Sequence, residues 1–367
     1  MKGLYIHIPF CIRKCAYCDF VSITNGDDMF ERYVDTLLLE AEEYSGEEID
    51  SIFIGGGTPT ILPHELITRL LKGIHSIFRI SSNTEISCEG NPGTITDEKI
   101  SALIDGGINR MSVGVQSFND RELKAIGRIH DAKTAYNTVC KIRKSGISNI
   151  NIDIMTALPD QNSKTLNETL KTAVELPITH ISAYSLIIED GTPLEKDYSK
   201  GLIAVPDEDE DRKMYADTVD FLKKHGFNRY EISNFAKQGY ECRHNLKYWS
   251  CDEYIGLGAA AHSYIGDERF SNSCNIKEYI TNNKRENTAL SEADKISEFM
   301  MMGLRKASGI NINEFKNRFG KSIDEVFDAE LNKFINLDLM QYHNGNYSLT
   351  DRGIDVSNSV MCEFLLS

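Results

Sequence analysis

Three cysteines, Cys11, Cys15 and Cys18, fall within eight residues of the stretch LYIHIPFCIRKCAYCDF (4–20). Their spacing is C-x3-C-x2-C. They directly follow an apolar, β-prone run (Leu4, Tyr5, Ile6, Ile8), which predicts a loop leaving a first buried strand. Thiolates are preferred ligands of iron-sulfur clusters, and one short loop with these spacings can wrap three corners of a cube. Three sulfurs leave one iron free to bind a small molecule, so such a cluster implies chemistry and not electron storage alone. Zinc held by the three thiolates plus His7 or Asp19 is a competing reading, although structural zinc sites of this kind come as paired knuckles and no second pair is present. Ordinary buried cysteines are a further alternative, but those scatter through a core instead of crowding one loop exit.

Other candidates follow from the rule that ligands of parallel sheets sit at the carboxyl ends of the strands. A second strand runs into Gly55-Gly56-Gly57-Thr58-Pro59, where missing side chains let backbone groups approach a ligand. A third ends at Glu89, a carboxylate able to hold a hydroxyl or an amino group, or else simply a surface Glu. Farther on, RHNLKYW (243–249) combines the imidazole of His244 with the flat faces of Tyr248 and Trp249. That set suits haem iron and its macrocycle, and equally suits plain half-buried packing. His262, in GLGAAAHSY, follows a glycine-rich strand and is a possible pocket residue.

The cysteine loop, with Tyr17 ahead of its last cysteine, resembles the signature of the radical S-adenosylmethionine (SAM) superfamily. The longer string HIPFCIRKCAYCDF resembles its oxygen-independent coproporphyrinogen III oxidase-like branch, and within that branch the HemW family of haem chaperones. The resemblance implies a 4Fe-4S cluster on Cys11, Cys15 and Cys18, whose open iron holds SAM and passes one electron to the sulfonium, breaking a C–S bond. It further implies SAM contacts from Tyr5, Tyr17, the GGGTP segment (Gly56, Gly57, Thr58), Glu89, Gln116 in SVGVQSF, Arg128 in IGRIHD and Asp153 in NIDIMTALP, with His262 added as a pocket residue. For Arg128 and Asp153 an ordinary structural ion pair remains the competitor. The H-N-x-x-Y-W string resembles a haem-associated motif, so haem joins the cluster and SAM as an expected cofactor.

Two departures from the oxidases matter. They carry a fourth cysteine two positions after the third, where this chain has Phe20, and a longer N-terminal segment that helps to enclose substrate. The resemblance therefore implies a chaperone that binds haem and delivers it to acceptor haemoproteins, including transient contact with membrane ones, with an electron donor for the cluster. The alternative is an enzyme, oxidatively decarboxylating coproporphyrinogen III.

The elements that must position these residues alternate. Helices are expected over 29–44, 63–78, 97–105, 131–145 and 163–176, and strands over 49–54, 85–88, 111–115, 150–154 and 181–186. With the first strand that makes six βα units, a parallel sheet covered by helices. The resemblance implies the same: a partial (β/α)6 TIM-like barrel over 1–226, strands and loops covering it over 227–290, and a smaller α+β, winged-helix-like domain over 291–367, with Asn344-Gly345 at a hairpin turn. The run PDEDED (206–211) reads as an acidic helix start, not as a site. The 367 residues suit two domains. A net charge of -15 disfavours nucleic acid, no apolar run reaches membrane-spanning length, and no signal peptide is read. Nine cysteines then point to a reducing cytoplasm.

Overall fold

A computed structural model describes residues 1–366. Six parallel strands, β1 (Lys2–Ile8), β2 (Glu48–Gly56), β3 (Arg79–Gly90), β4 (Arg110–Gln116), β5 (Asn149–Thr156) and β6 (His180–Ser185), lie side by side in chain order. This is the parallel sheet expected from the alternation and the partial (β/α)6 barrel that the resemblance implied. Helices cross between successive strands, among them Phe30–Ala41, His64–Ile77, Asp97–Asp105, Ala132–Lys144 and Ser163–Glu175. Their starts are set by side chains that accept orphan backbone N–H groups: Thr96, Asp131 and, with Thr165 in a capping box, Asn162.

The two faces of each strand differ in character. Leu4, Ile6 and Ile8 of β1, Met111, Val113 and Val115 of β4, and Ile150, Ile152 and Ile154 of β5 belong to one apolar core. The alternate positions are Tyr5 and His7, Arg110, Ser112 and Gln116, and Asn151 and Asp153. Period-two alternation thus puts the apolar set under the helices and a polar set in the lumen.

The barrel's flanks come from later chain. The hairpin β7 (Asn228–Glu231) and β8 (Asn234–Ala236) pairs antiparallel with β6. On the opposite side β9 (Tyr254–Leu257) runs parallel to β1 and is followed by β10 (His262–Ile265), β11 (Glu268–Ser271) and β12 (Glu286–Ala289). A second apolar core, from Cys251 to Phe364, unites helices Glu292–Gly303, Ile312–Phe319 and Ile323–Asn336 with the small sheet β13 (Ile310–Asn311), β14 (Met340–His343) and β15 (Asn346–Leu349). Asn344 and Gly345 both have positive φ (50° and 80°) in the β14–β15 turn, as a two-residue hairpin turn demands.

Several elements depart from the expectation. The strand expected over 85–88 extends from Arg79 to Gly90, because its first residues pair with Glu48 and Ile49 of β2. The acidic run, by contrast, starts a helix as expected, Glu208–Lys224, capped by Asp207. Residues 243–249, expected among strands and loops, form a helix. Its first N–H groups, of Arg243 and His244, donate to the Glu85 carboxylate of β3 (3.2 Å each), a cap supplied from far away in the chain.

Candidate cluster and cofactor site

The cysteine loop is tied down on three sides. Cys11 N–H donates to Ile23 and Ile23 N–H to Pro9 (2.9 Å each), while Thr58 N–H donates to the Phe10 carbonyl (2.8 Å). Ala16 donates to Ile126 (3.1 Å) and accepts from Leu194 (2.9 Å). Phe10 is buried edge-on against Phe30 and Tyr33. A side chain on Gly57 would meet the Phe10 carbonyl at 2.7 Å, so glycine there lets strand β2 close against the loop.

All three thiols are free and line one cavity of about 340 Å³ at the carboxyl ends of the strands. The Cys15 sulfur accepts a hydrogen bond from Arg128 Nη1 (3.3 Å), and Cys11 Sγ lies 3.6 Å from Thr58 Oγ1. Among the described residues, no three side chains of His, Cys, Asp or Glu converge closely enough to hold one ion. His7, a suggested fourth zinc ligand, has Nδ1 bonded to Tyr5 Oη (2.9 Å) and Nε2 to the Val21 carbonyl (3.0 Å). Three free thiols on one cavity, with the His7 imidazole engaged elsewhere, suit a multi-iron cluster.

Beside the thiols the lining carries two carboxylates, Glu89 and Asp153. Glu89 accepts from Gly56 N–H (3.2 Å). Burial, and then the negative charge of Asp153, push its carboxyl up to about 8. Burial raises Asp153 too, against hydrogen bonds from Asn151 and Ser182. Gly56 has φ 111°, and a Cβ there would strike the His7 ring at 2.5 Å, so no other residue could bring this N–H to Glu89. Gln116 also has positive φ (70°), a strained position for a buried non-glycine residue, and accepts from the Tyr184 hydroxyl (3.4 Å). The Arg128 guanidinium bonds Cys15, Asn91 (2.5 Å) and the Gly114 carbonyl, while Asp153 accepts from Asn151 (2.8 Å), so the suggested Arg128–Asp153 ion pair does not form.

Of the residues singled out from the sequence, Cys11, Cys15, Cys18, Tyr17, Gly56, Gly57, Glu89, Gln116, Arg128 and Asp153 line this one cavity. Others lie outside it. The Thr58 hydroxyl is buried, accepting from Asn91 Nδ2 (2.8 Å), and supports the loop from outside the cavity lining. Tyr5 is half-buried in the lumen, stacked on Phe53. His262 is exposed at the start of β10, two strands out from β1, and does not reach the cavity.

The H-N-x-x-Y-W residues lie apart from this cavity. His244 is 1% exposed, stacked on Phe53 at the amino ends of the strands, with Nδ1 bonded to Ser51 Oγ and Nε2 to Tyr248 Oη (3.0 Å each). Burial and then the Lys247 charge hold its pKa down at about 3. Trp249 stacks under Arg305 (4.6 Å). In this conformation the His244 ring is closed off at the barrel floor, while Tyr248 and Trp249 are half-buried.

Sequence reasoning missed Asn91, Ser112, Tyr184, Ser233 and Asn234 in the lining. Asn91 and Tyr184 sit at strand ends, where the rule already in use would have found them. Ser233 and Asn234 come from the β7–β8 hairpin, and no local signal marks them.

The comparisons with known proteins agree with this geometry. The radical SAM superfamily model matches residues 5–173, and the HemN C-terminal domain model matches residues 290–356. A protein called heme chaperone HemW from Lactococcus lactis is 36% identical over 369 residues, covering 100% of this chain and 97% of its own. Its namesake from Bacillus subtilis is also 36% identical, covering 100% and 99%. The solved structure of coproporphyrinogen III oxidase (HemN) from Escherichia coli, described as a radical SAM enzyme, superposes with a TM-score of 0.86 over 99% of this chain and 89% of that one, at 24% identity, which speaks to the fold alone. The chain belongs to the HemW family of the radical SAM superfamily, a membership that implies a 4Fe-4S cluster and SAM.

Proposed function

We propose that this chain is a haem chaperone that binds haem and delivers it to acceptor haemoproteins, with Cys11, Cys15 and Cys18 holding the cluster. Phe20 carries the choice against the decarboxylase. It is 65% exposed on the lip of the cavity, at the position where the oxidase branch has a further cysteine, and a phenyl ring can neither ligate metal nor exchange a hydrogen atom. The names of the relatives support the same choice.

When bound, cluster and SAM supply one-electron cleavage of a C–S bond. The chain's own groups do the rest. The backbone of Gly56 and Gly57 leaves room for the methionyl end, Glu89 and Asp153 accept from amino and hydroxyl groups, and Arg128 offsets thiolate charge at Cys15. Exposed Arg13 and Lys14 on the loop offer a cationic face to an electron donor. A reducing cytoplasm is the matching compartment. His244 is the proposed haem ligand, and its use requires helix Arg243–Trp249 to leave the barrel floor.

The test has two arms. Reconstituted, reduced protein incubated with SAM and coproporphyrinogen III is expected to yield no protoporphyrinogen IX, and its appearance overturns the choice. Haem titration is expected to give a Soret band that moves to an apo-haemoprotein on mixing, and a protein that takes up no haem is no chaperone.

A further inference from the structure

The floor helix and the cavity are joined through the lumen by a continuous chain of hydrogen bonds, with side branches from Asn151 to Ser112 and Ser182. Cys242 N–H, just ahead of helix Arg243–Trp249, donates to Tyr230 Oη (3.2 Å). Tyr230 Oη lies 2.8 Å from His180 Nε2, and His180 Nδ1 lies 2.6 Å from Asn151 Oδ1. Asn151 Nδ2 donates to Asp153 Oδ1 (2.8 Å) and to Ser112 Oγ (2.8 Å).

One assignment satisfies every link. The Asn151 amide nitrogen must face Asp153, so its oxygen accepts from His180 Nδ1–H; His180 Nε2 is then bare and accepts from the Tyr230 hydroxyl. Every donor in the file points toward the carboxylate, and such chains strengthen one another when water is excluded. His180 and Asn151 are 0% and 1% exposed. Burial and the Arg110 charge keep His180 neutral, as the file requires.

We propose that Tyr230, His180 and Asn151 are positioning residues that fix Asp153 for SAM and couple the cavity to the floor helix that holds His244. The inference rests on the reading that Asp153 contacts SAM. Linkage makes the coupling reciprocal: bound SAM tightens the floor helix, and release of that helix to engage haem weakens the hold on SAM. The two ligands thereby oppose each other from opposite ends of one lumen.

Tyr230→Phe removes one hydroxyl and keeps the ring, and Asn151→Leu removes the last link. In cluster-reconstituted protein of unchanged iron and sulfide content, each is expected to weaken SAM binding about three- to tenfold, the size of one ordinary hydrogen bond. In wild type, SAM is expected to slow amide exchange across 242–249, and in Tyr230→Phe that protection is expected to vanish, an effect that lost packing alone would not produce. Asp153→Asn separates the levels. If it binds SAM like wild type, the assignment of Asp153 falls and takes the proposal with it. If it weakens SAM while Tyr230→Phe does not, or if wild-type exchange over 242–249 ignores SAM, the relay alone is overturned. Should Asn151→Leu fail to fold, Tyr230→Phe carries the test.

Discussion

Glu89 is a carboxylate that the fold holds in an unfavourable state until a ligand arrives. Its pKa of about 8 lies above that of an unfolded Glu, so the unfolded chain releases the proton first as pH rises. The neutral form's contribution is fully present below about pH 4.5 and is lost as pH climbs toward 8. Glu89→Gln, which stays neutral, is therefore expected to stabilise the SAM-free protein at pH 8 by roughly 1–3 kcal/mol relative to wild type, and by much less at pH 5. Thermal melts at the two pH values check this, and an equal effect at both would refute it. The cysteines present the opposite case. They are only half-buried and free, so changing Cys11, Cys15 or Cys18 to Ala should leave the fold of the metal-free chain within about 1 kcal/mol. Iron and acid-labile sulfide after anaerobic reconstitution should fall sharply for each. Zinc retained without sulfide would point back to the reading set aside above.

At the scale of elements, strand ends and their glycines decide where the loop can sit. Gly57→Ala presses a methyl onto the Phe10 carbonyl at 2.7 Å and should cost about 1–3 kcal/mol while lowering cluster occupancy, because the carbonyl belongs to the loop itself. The floor helix responds to acid. Neutral His244 in the fold titrates near pH 3, whereas the unfolded chain takes the proton near 6.5, so wild-type stability drops as pH falls below that point. His244→Gln loses the ring's contacts but not through titration. Its deficit against wild type, about 1–3 kcal/mol at pH 7, should narrow by roughly 1–2 kcal/mol on going to pH 5 in urea unfolding. These elements also mark where the sequence is legible. Alternation of apolar with polar or aromatic residues exposes β1, β4 and β5, and cysteine spacing exposes the loop. The helix at 243–249 stays hidden, because its cap is Glu85, some 160 residues earlier in the chain and adjacent only once the sheet has formed. The same distance hides the burial of His244. A motif reads as an open binding face until the partners of its ring nitrogens, Ser51 among them, are known.

Over the whole molecule two apolar cores meet along the β7–β8 hairpin. Ile232 N–H donates to Arg305 (3.1 Å) and Ala307 N–H to Tyr230 (2.9 Å), so the residues that link the cores flank those lining the cavity. Ser233 and Asn234, which close the cavity's side, lie between these two contacts and the sheet. Cooperative loss of both cores in one transition is the expected outcome of differential scanning calorimetry, and two resolved endotherms would contradict it. The chain has one tryptophan, Trp249, and it sits at this junction beneath the Arg305 guanidinium. The single indole thus sits between the floor helix and the second apolar core. Its emission maximum should shift to the red in Arg305→Ala, and in the intact protein a change of colour or quenching on haem addition would report, without any label, that the barrel floor has opened.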